Sequence, residues 1–164
     1  MTYRNAFSLE NRTALIVGGG GLGSAIAEAF FECGAEVIIA DREACMKKEL
    51  LDAAEAAGKA LHYVRIDLLD EESIAEAVQE AAKITGRIDI LVNAAGINRL
   101  QPAEEYTAED WDSVLGINLR GLFLTTREAG KIMKRQHYGR ILSISSVKSL
   151  IGTDTDYIAY CASK

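Results

Sequence analysis

The chain has 164 residues, enough for one domain with a substantial core, and its 49% hydrophobic content argues against disorder. Because 18 basic residues stand against 24 acidic ones, the net charge is −6, and no broad basic surface is available to neutralise a nucleic-acid backbone. No stretch has the length of a membrane span, so we expect small molecules or protein partners.

The cysteines indicate the compartment. Cys33, Cys45 and Cys161 are odd in number, widely spaced and without C-x-x-C pairing, which favours reduced, buried thiols over disulfides or a metal site. The segment Met1 to Asn11 has no long apolar core that would mark a targeting signal. We therefore expect a cytoplasmic protein, and the absence of repeats or linkers predicts a single domain over residues 1–164.

The first predicted elements are a strand, a glycine turn and a helix. Thr13–Val17 is an apolar run, and after the glycines apolar residues recur at helical spacing, at Leu22, Ala25, Ile26, Ala29, Phe30 and Cys33. Gly18, Gly20 and Gly23 fit G-x-G-x-x-G, which permits a tight turn, close approach to a pyrophosphate and close helix packing. The helix N-terminus would then face a phosphate at the end of the strand. A flexible glycine loop without a ligand is the ordinary alternative.

A second predicted strand, Glu36 to Asp41, ends in an acid about where this glycine pattern places the carboxylate that binds an adenosine ribose. A carboxylate at Asp41 would accept hydrogen bonds from both ribose hydroxyls and repel a 2′-phosphate, which favours NAD over NADP. The adjacent Arg42 keeps NADP open, because a guanidinium binds a phosphate well.

Helices and strands alternate through the rest of the chain. The predicted elements are a helix from Ala44 to Ala57, a strand from Leu61 to Ile66, a helix from Glu71 to Thr85, a strand from Ile88 to Val92, a long helix from Ala108 to Arg135, a strand from Gly139 to Ser146 and a helix from Tyr157 to Lys164. Such alternation implies parallel pairing through right-handed crossovers. The expected fold is α/β, a doubly wound parallel sheet of the Rossmann type.

Ligands of such sheets bind beyond the carboxyl ends of the strands, where polar residues are predicted to collect: Asp41, Asp67, Asn93, Ser145 and Ser146. Tyr160 and Lys164 are spaced i, i+4 and share a helix face. Bringing a tyrosine from a pKa near 10 to about 7 requires on the order of 4 kcal/mol, and a neighbouring ammonium has the right sign. Such a tyrosine exchanges a proton with an alcohol or carbonyl while a cofactor exchanges the hydride. Taken singly, these residues also fit a surface pair or turn residues.

Taken in order, the motifs resemble the classical short-chain dehydrogenase/reductase family, from about Leu9 to the last residue. The matching segments are the glycine turn, Asp67-Leu68, Asn93-Ala94-Ala95-Gly96, Asn118 in Ile-Asn-Leu-Arg-Gly, Ser146 in Ile-Ser-Ser and Tyr160-Cys161-Ala162-Ser163-Lys164. The resemblance implies Tyr160 as general acid/base, and Lys164 as the group that lowers its pKa and holds the nicotinamide ribose. It implies Ser146 as hydrogen-bond donor to the substrate oxygen and Asn118 as anchor of a water-linked proton path.

The resemblance also implies a dinucleotide site with the adenine between Asp67 and Leu68, and a sheet of visible strand order 3-2-1-4-5. The residues expected to bind the cofactor are Gly18, Gly20, Gly21, Leu22, Gly23, Asp41, Arg42, Asp67, Leu68, Asn93, Ala94, Ala95, Gly96, Tyr160 and Lys164. The implied activity is NAD(P)-dependent interconversion of a secondary alcohol and a ketone, with NAD preferred.

The substrate and the assembly are further expectations from the resemblance. The segment Asn98 to Ala103 is similar to that of sugar-acid and polyol dehydrogenases of the family, and 3-oxoacyl reductases come next. A homodimer or homotetramer is implied, because the long helix and the helix near Tyr157 form the usual dimer surface of the family.

The chain departs from the family pattern at three places. The usual G-x-x-x-G-x-G register would need a glycine at Val17, so the turn is one residue short, and the interval from Ser146 to Tyr160 is about one residue longer than usual. The sequence also stops at Lys164, whereas family members continue, which implies missing strands and a missing substrate lid, and leaves the fifth strand as an exposed edge.

Two alternatives to a dehydrogenase stay open. The first is a truncated, catalytically silent module that binds nucleotides or protein partners, and it rests on the end of the sequence at Lys164. The second is a flavin-binding or other nucleotide-binding Rossmann protein. It explains the glycines but not the combination of Ser146, Tyr160 and Lys164.

Overall fold

The computed structural model describes residues 7–44, 48–151 and 156–164. Its centre is a five-stranded sheet whose order, β3-β2-β1-β4-β5, confirms the predicted 3-2-1-4-5 arrangement. Every pairing is parallel. The strands are β1 (Thr13–Val17), β2 (Glu36–Asp41), β3 (Leu61–Arg65), β4 (Ile90–Asn93) and β5 (Arg140–Ser143).

Six α-helices occur within the described residues; five lie between strands, and the sixth follows β5. They are α1 (Gly21–Glu32), α2 (Lys48–Ala56), α3 (Glu71–Thr85), α4 (Ala108–Leu115), α5 (Leu122–Gln136) and α6 (Ile158–Ser163). Short 3-10 turns cover Ala103–Glu105 and Val147–Ser149, and a π-helical segment covers Gly116–Gly121. None of the helices in the described part of the chain is long and apolar enough to cross a membrane.

The sheet is covered on both faces, as a doubly wound fold requires. On β1, Leu15 and Val17 belong to the core layer that contains residues of α3 and α5, whereas Ile16 belongs to the layer with α1 and α2. This division follows from the alternation of side chains along a strand. Both sheet faces therefore carry apolar residues, which explains why β1 is fully buried.

The helix α3 confirms its predicted limits, whereas α1 differs in the stripe that it buries. The buried residues of α1 are Gly23, Ser24, Ala27 and Phe31, while Leu22 is 54% exposed. The small residues bring the helix close to the sheet, and the Ser24 hydroxyl donates to the Gly19 carbonyl at 2.7 Å. The residues of the apolar periodicity are exposed or only partly buried, and among them Ile26 and Phe30 pack against the core layer.

The long predicted helix from Ala108 to Arg135 is helical throughout, with the π-helical segment Gly116–Gly121 between α4 and α5, and it ends at Gln136. Several strand ends also differ by a few residues. β5 ends at Ser143, after which the Ile144 N–H donates to the Asn93 carbonyl and the chain turns away. All four residues of β5 are exposed, and among the described residues the strand pairs only with β4.

Some predictions fall outside the described residues or are only partly met. The predicted helix from Ala44 to Ala57 is observed as Lys48–Ala56, and residues 45–47, which include Cys45, lie outside the described ranges. Cys33 and Cys161 are free thiols, but both are only partly buried.

Candidate active site

Four of the five glycines at the turn after β1, Gly18, Gly20, Gly21 and Gly23, act in two ways. Gly18 has a φ of +99°, and a Cβ added there would lie 2.5 Å from the backbone nitrogen of Ala95. A Cβ on Gly23 would lie 1.8 Å from the Gly18 carbonyl oxygen. Gly20 and Gly21, by contrast, face open space at the N-terminus of α1. Two glycines therefore permit the packing of the turn, and two leave its outer surface free for a ligand.

A cleft of about 400 Å³ opens beyond the carboxyl ends of the central strands. All the predicted cofactor residues line it except Asn93, Tyr160 and Lys164. The apolar lining residues that the sequence analysis missed are Val17, Ala40, Ile66, Leu69, Ile97 and Ile117. Each lies next to or near a predicted motif residue in the sequence, and this proximity is the signal that could have identified them. The open space at Gly20 and Gly21 and the mixed apolar and acidic lining fit a dinucleotide.

Asp41 lies at the rim of this cleft and also holds the glycine turn. Its Oδ2 accepts the Gly19 N–H at 2.7 Å, and its Oδ1 accepts the N–H of Arg42 at 2.6 Å. The carboxylate thus already has two backbone donors, and an ionised carboxylate has acceptor sites for more. Arg42 is exposed beside it and lines the same cleft.

Asn93 lies at the end of β4, but its side chain contacts α5 and β5 and does not line the cleft. Its Oδ1 accepts the Thr125 hydroxyl at 2.7 Å, and its Nδ2 donates to Thr126 Oγ1 at 3.1 Å and to Ser143 Oγ at 3.5 Å. Asn93 is buried. The side chain therefore stabilises the strand end from which Ala94, Ala95 and Gly96 reach the cleft.

Asn118 lies in the π-helical segment and is 1% exposed. Its Oδ1 accepts the Ile97 N–H at 2.8 Å, and its Nδ2 donates to the Ile97 carbonyl at 2.9 Å and to Ser163 Oγ at 3.0 Å. Ser163 in turn donates to the Tyr160 carbonyl at 2.8 Å. Asn118 therefore links the loop after β4 to α6. Local π-helical turns are frequent at functional sites.

Tyr160 and Lys164 lie close together, as their spacing predicts. The Lys164 Nζ is 5.6 Å from the centroid of the Tyr160 ring and donates to the Ile144 carbonyl at 2.8 Å. Partial burial lowers the pKa of the Lys164 ammonium from its ordinary value. The Ser145 hydroxyl donates to the backbone carbonyl of Lys164 at 3.1 Å, a contact that the neighbouring Ser146 does not share.

Ser146 begins the 3-10 turn Val147–Ser149, and its Oγ accepts the Lys148 N–H at 3.2 Å. The Lys148 Nζ lies 4.4 Å from the centroid of the Tyr157 ring, and that ring packs edge to face against Tyr160, with centroids 6.0 Å apart. The turn packs on α6. A hydroxyl, a tyrosine and two cations are thereby assembled at one end of the sheet, a set suited to proton exchange with an alcohol or carbonyl.

No group of three or more His, Cys, Asp or Glu side chains with the geometry of a metal site occurs in the described ranges.

The chain is similar over most of its length to known oxidoreductases. It is 40% identical to a D-threitol dehydrogenase of Mycolicibacterium smegmatis and 35% identical to an NAD-dependent glycerol dehydrogenase of Listeria innocua, in each case over 96% of this chain and 61% of the relative. A gluconate 5-dehydrogenase of Burkholderia cenocepacia, solved with NADP and tartrate, superposes with a TM-score of 0.89 at 31% identity. That match covers 99% of this chain and 64% of the other.

The chain spans about 61% of the length of the two curated relatives. The sequence model of the short chain dehydrogenases matches residues 12–164, which is nearly the whole chain. This chain belongs to the short chain dehydrogenase family.

Proposed function

We propose that the protein is an NAD(P)-dependent oxidoreductase that interconverts a secondary alcohol and a ketone, with residues 1–164 forming one dinucleotide-binding domain. The observation that carries this proposal is the contact at Gly96. A Cβ added to Gly96, which lines the cleft, would lie 3.4 Å from both Asn118 Oδ1 and Lys164 Nζ. The dinucleotide cleft and the Tyr160–Lys164 pair therefore adjoin, as hydride and proton transfer to one substrate require.

Tyr160 is the proposed general base for alcohol oxidation. When bound, the dinucleotide supplies the acceptor for the hydride that leaves the carbinol carbon. The Tyr160 oxygen takes the hydroxyl proton, and the Ser146 hydroxyl donates a hydrogen bond to the same substrate oxygen. Lys164 stabilises the tyrosinate and binds the nicotinamide ribose, and Asn118 anchors the proton path. In the reverse direction, Tyr160 returns the proton to the carbonyl oxygen.

We propose NAD as the preferred dinucleotide, with NADP as the weaker alternative. Asp41 supports NAD, because a carboxylate at the cleft rim repels a 2′-phosphate. Arg42 supports the alternative, since it also lines the cleft. The names of the relatives include both cases, an NAD-dependent glycerol dehydrogenase and a gluconate 5-dehydrogenase solved with NADP.

The proposed substrates are sugar acids or polyols, with 3-oxoacyl groups next. The similar D-threitol, glycerol and gluconate dehydrogenases support the first two classes. A homodimer or homotetramer in the cytoplasm is part of the proposal. It rests on the family resemblance and on the exposed Leu119 and Phe123 along the helix that the family uses for dimers.

The second candidate function is a catalytically silent nucleotide-binding module. Its basis is the apolar surface of β5, where Ile141 is 44% exposed and Leu142 is 50% exposed, a surface to which a protein partner would bind. Such a module would bind a dinucleotide through the cleft without any turnover by Tyr160.

The test is a titration with NADH and with NADPH, followed through Trp111 and dinucleotide fluorescence, and then an alcohol oxidation assay with each dinucleotide. We expect tighter binding of NADH and a loss of about 10²- to 10⁴-fold in kcat for Tyr160→Phe. Tyr138→Phe is the matched control, because Tyr138 precedes the opposite end of β5. Binding without turnover would favour the silent module, and turnover that survives Tyr160→Phe would overturn the mechanism.

A further inference from the structure

The proposed active site contains a second cation that the mechanism above does not use. Lys148 follows Ser146 by two residues, and its backbone N–H donates to Ser146 Oγ at 3.2 Å. The Lys148 Nζ lies 4.4 Å from the centroid of the Tyr157 ring. That ring contacts the Tyr160 ring edge to face, with a centroid separation of 6.0 Å and an interplanar angle of 70°. One aromatic ring therefore separates the Lys148 ammonium from the proposed general base.

Lys148 is half-buried, yet its charge has no counter-ion among residues 7–44, 48–151 and 156–164. No carboxylate oxygen of these residues forms an ion pair with its Nζ, whereas Lys59 and Lys131 each pair with a glutamate. An ammonium carries three N–H donors, and within these ranges none of those on Lys148 has a hydrogen-bond acceptor. The contact with the aromatic face leaves these donors available to a ligand.

The neighbouring charges also favour an anion at this place. The other cation of the site, Lys164, has its Nζ 5.6 Å from the centroid of the Tyr160 ring. Asp156, which precedes Tyr157, is exposed, and it forms no ion pair with another described residue. Because the mechanism already pairs Lys164 with the Tyr160 oxygen, a negatively charged substrate would supply the counter-ion that Lys148 lacks among the described residues.

We propose that Lys148 binds a carboxylate of the substrate, so that the preferred substrates are anionic hydroxy acids and not neutral polyols. This inference rests on the proposed oxidoreductase function and narrows its substrate class. Ser146 and Lys148 belong to one short turn, so a substrate held by the Ser146 hydroxyl lies near the segment that carries Lys148. A hydroxy acid carries both an alcohol and a carboxylate.

A different role for Lys148 predicts different kinetics. If its charge acted on Tyr160 through the Tyr157 ring, loss of the charge would shift the pH profile of kcat for every substrate. If it binds the carboxylate, loss of the charge raises KM for acids and leaves neutral alcohols unaffected. The two roles are therefore separated by the choice of substrate and by the split between KM and kcat.

The experiment compares acids with the neutral alcohols of the same carbon chain: glycerate with glycerol, threonate with threitol, and gluconate with glucitol. Each pair is assayed for oxidation, and each compound is also tested for its shift of the melting temperature in the presence of the dinucleotide. We expect the wild-type protein to prefer the acid in at least one pair. For that acid, Lys148→Met should lower kcat/KM by about 10- to 100-fold, mainly through KM, and remove its melting-temperature shift.

Two further variants complete the design. Lys148→Arg keeps the charge and should retain most of the preference for the acid, while Lys83→Met removes an exposed lysine of α3 and should change neither substrate. The inference is overturned if no acid is preferred over its alcohol in either assay, or if Lys148→Met affects acid and alcohol equally. Failure of the proposed function gives a different result. In that case no dinucleotide binds, or the dinucleotide and the acid bind but neither the hydroxy acids nor the neutral alcohols are oxidised.

Discussion

Replacement of Gly23 by alanine tests whether the turn after β1 is closed by backbone contact. The new Cβ would lie 1.8 Å from the Gly18 carbonyl oxygen, so one of the two segments must move by more than an ångström to reach an ordinary contact. The Gly18 backbone has little room to move, because it packs closely against Ala95: a Cβ built on Gly18 would lie 2.5 Å from the Ala95 nitrogen. Overpacking costs about 1–3 kcal/mol, and loss of the hydrogen bonds from Ser24 to the turn adds about 1 kcal/mol each.

We therefore expect Gly23→Ala to lower the free energy of unfolding by about 3 kcal/mol, which for a domain of this size lowers Tm by roughly 6–12 °C. Gly20→Ala is the matched control, since its Cβ meets no atom within 4 Å. Gly20 lines the cleft, so this variant should keep the Tm of the wild type and bind NADH more weakly. Thermal melts and NADH titrations measure both effects. A Gly23→Ala protein that melts like the wild type, or a Gly20→Ala protein with unchanged NADH affinity, would refute the reasoning.

Three further predictions concern the charged and amide groups. Asp41→Asn should narrow the difference between NADH and NADPH affinity. Asp41→Ala should weaken the binding of both dinucleotides, because the Gly19 N–H loses its acceptor. Titrations in which Asp41→Ala weakened the binding of NADH alone would contradict this. Asn118→Ala should lower the free energy of unfolding, measured in urea, by about 1–3 kcal/mol and slow turnover. The reason is that the backbone N–H and carbonyl of Ile97 both lose their hydrogen bonds to the amide. Hydrogen bonding from Lys131, together with Arg127, holds the pKa of Glu128 below its usual range, so its contribution to stability is present above about pH 4.3 and is lost as the pH falls through the folded-state pKa. Glu128→Gln should therefore flatten the decline of the urea midpoint between pH 5 and pH 3 relative to wild type; equal declines would count against this ion pair.

The helix α3 shows which parts of the fold the sequence specifies locally. Its buried residues recur at helical spacing, Asp70 accepts the Glu72 N–H at the N-terminus, and Gly86 ends the helix with a φ of +77°. Each of these signals lies within the segment itself. The limits predicted from the sequence, Glu71 to Thr85, are therefore confirmed.

The helix α1 shows where such reasoning fails. Its buried face consists of Gly23, Ser24, Ala27 and Phe31, most of which carry little apolar surface. They are buried because the turn brings the helix close to β1, a tertiary constraint that a search for apolar periodicity does not detect. Leu22, one of the apolar residues of that periodicity and also one of the expected cofactor-binding residues, lines the cleft.

The π-helical segment between α4 and α5 connects the fold to the proposed chemistry. Nothing local distinguishes Asn118 from the residues around it, since its partners Ile97 and Ser163 lie 21 and 45 residues away. The π-helical segment places this one amide where it binds both the loop that lines the cleft and the helix that carries Tyr160. The two halves of the proposed reaction, dinucleotide binding and proton transfer, therefore share a single buried link. A motif residue read from sequence identifies that link, but only the fold explains why an asparagine is needed, because few side chains can accept one hydrogen bond and donate two in the same position.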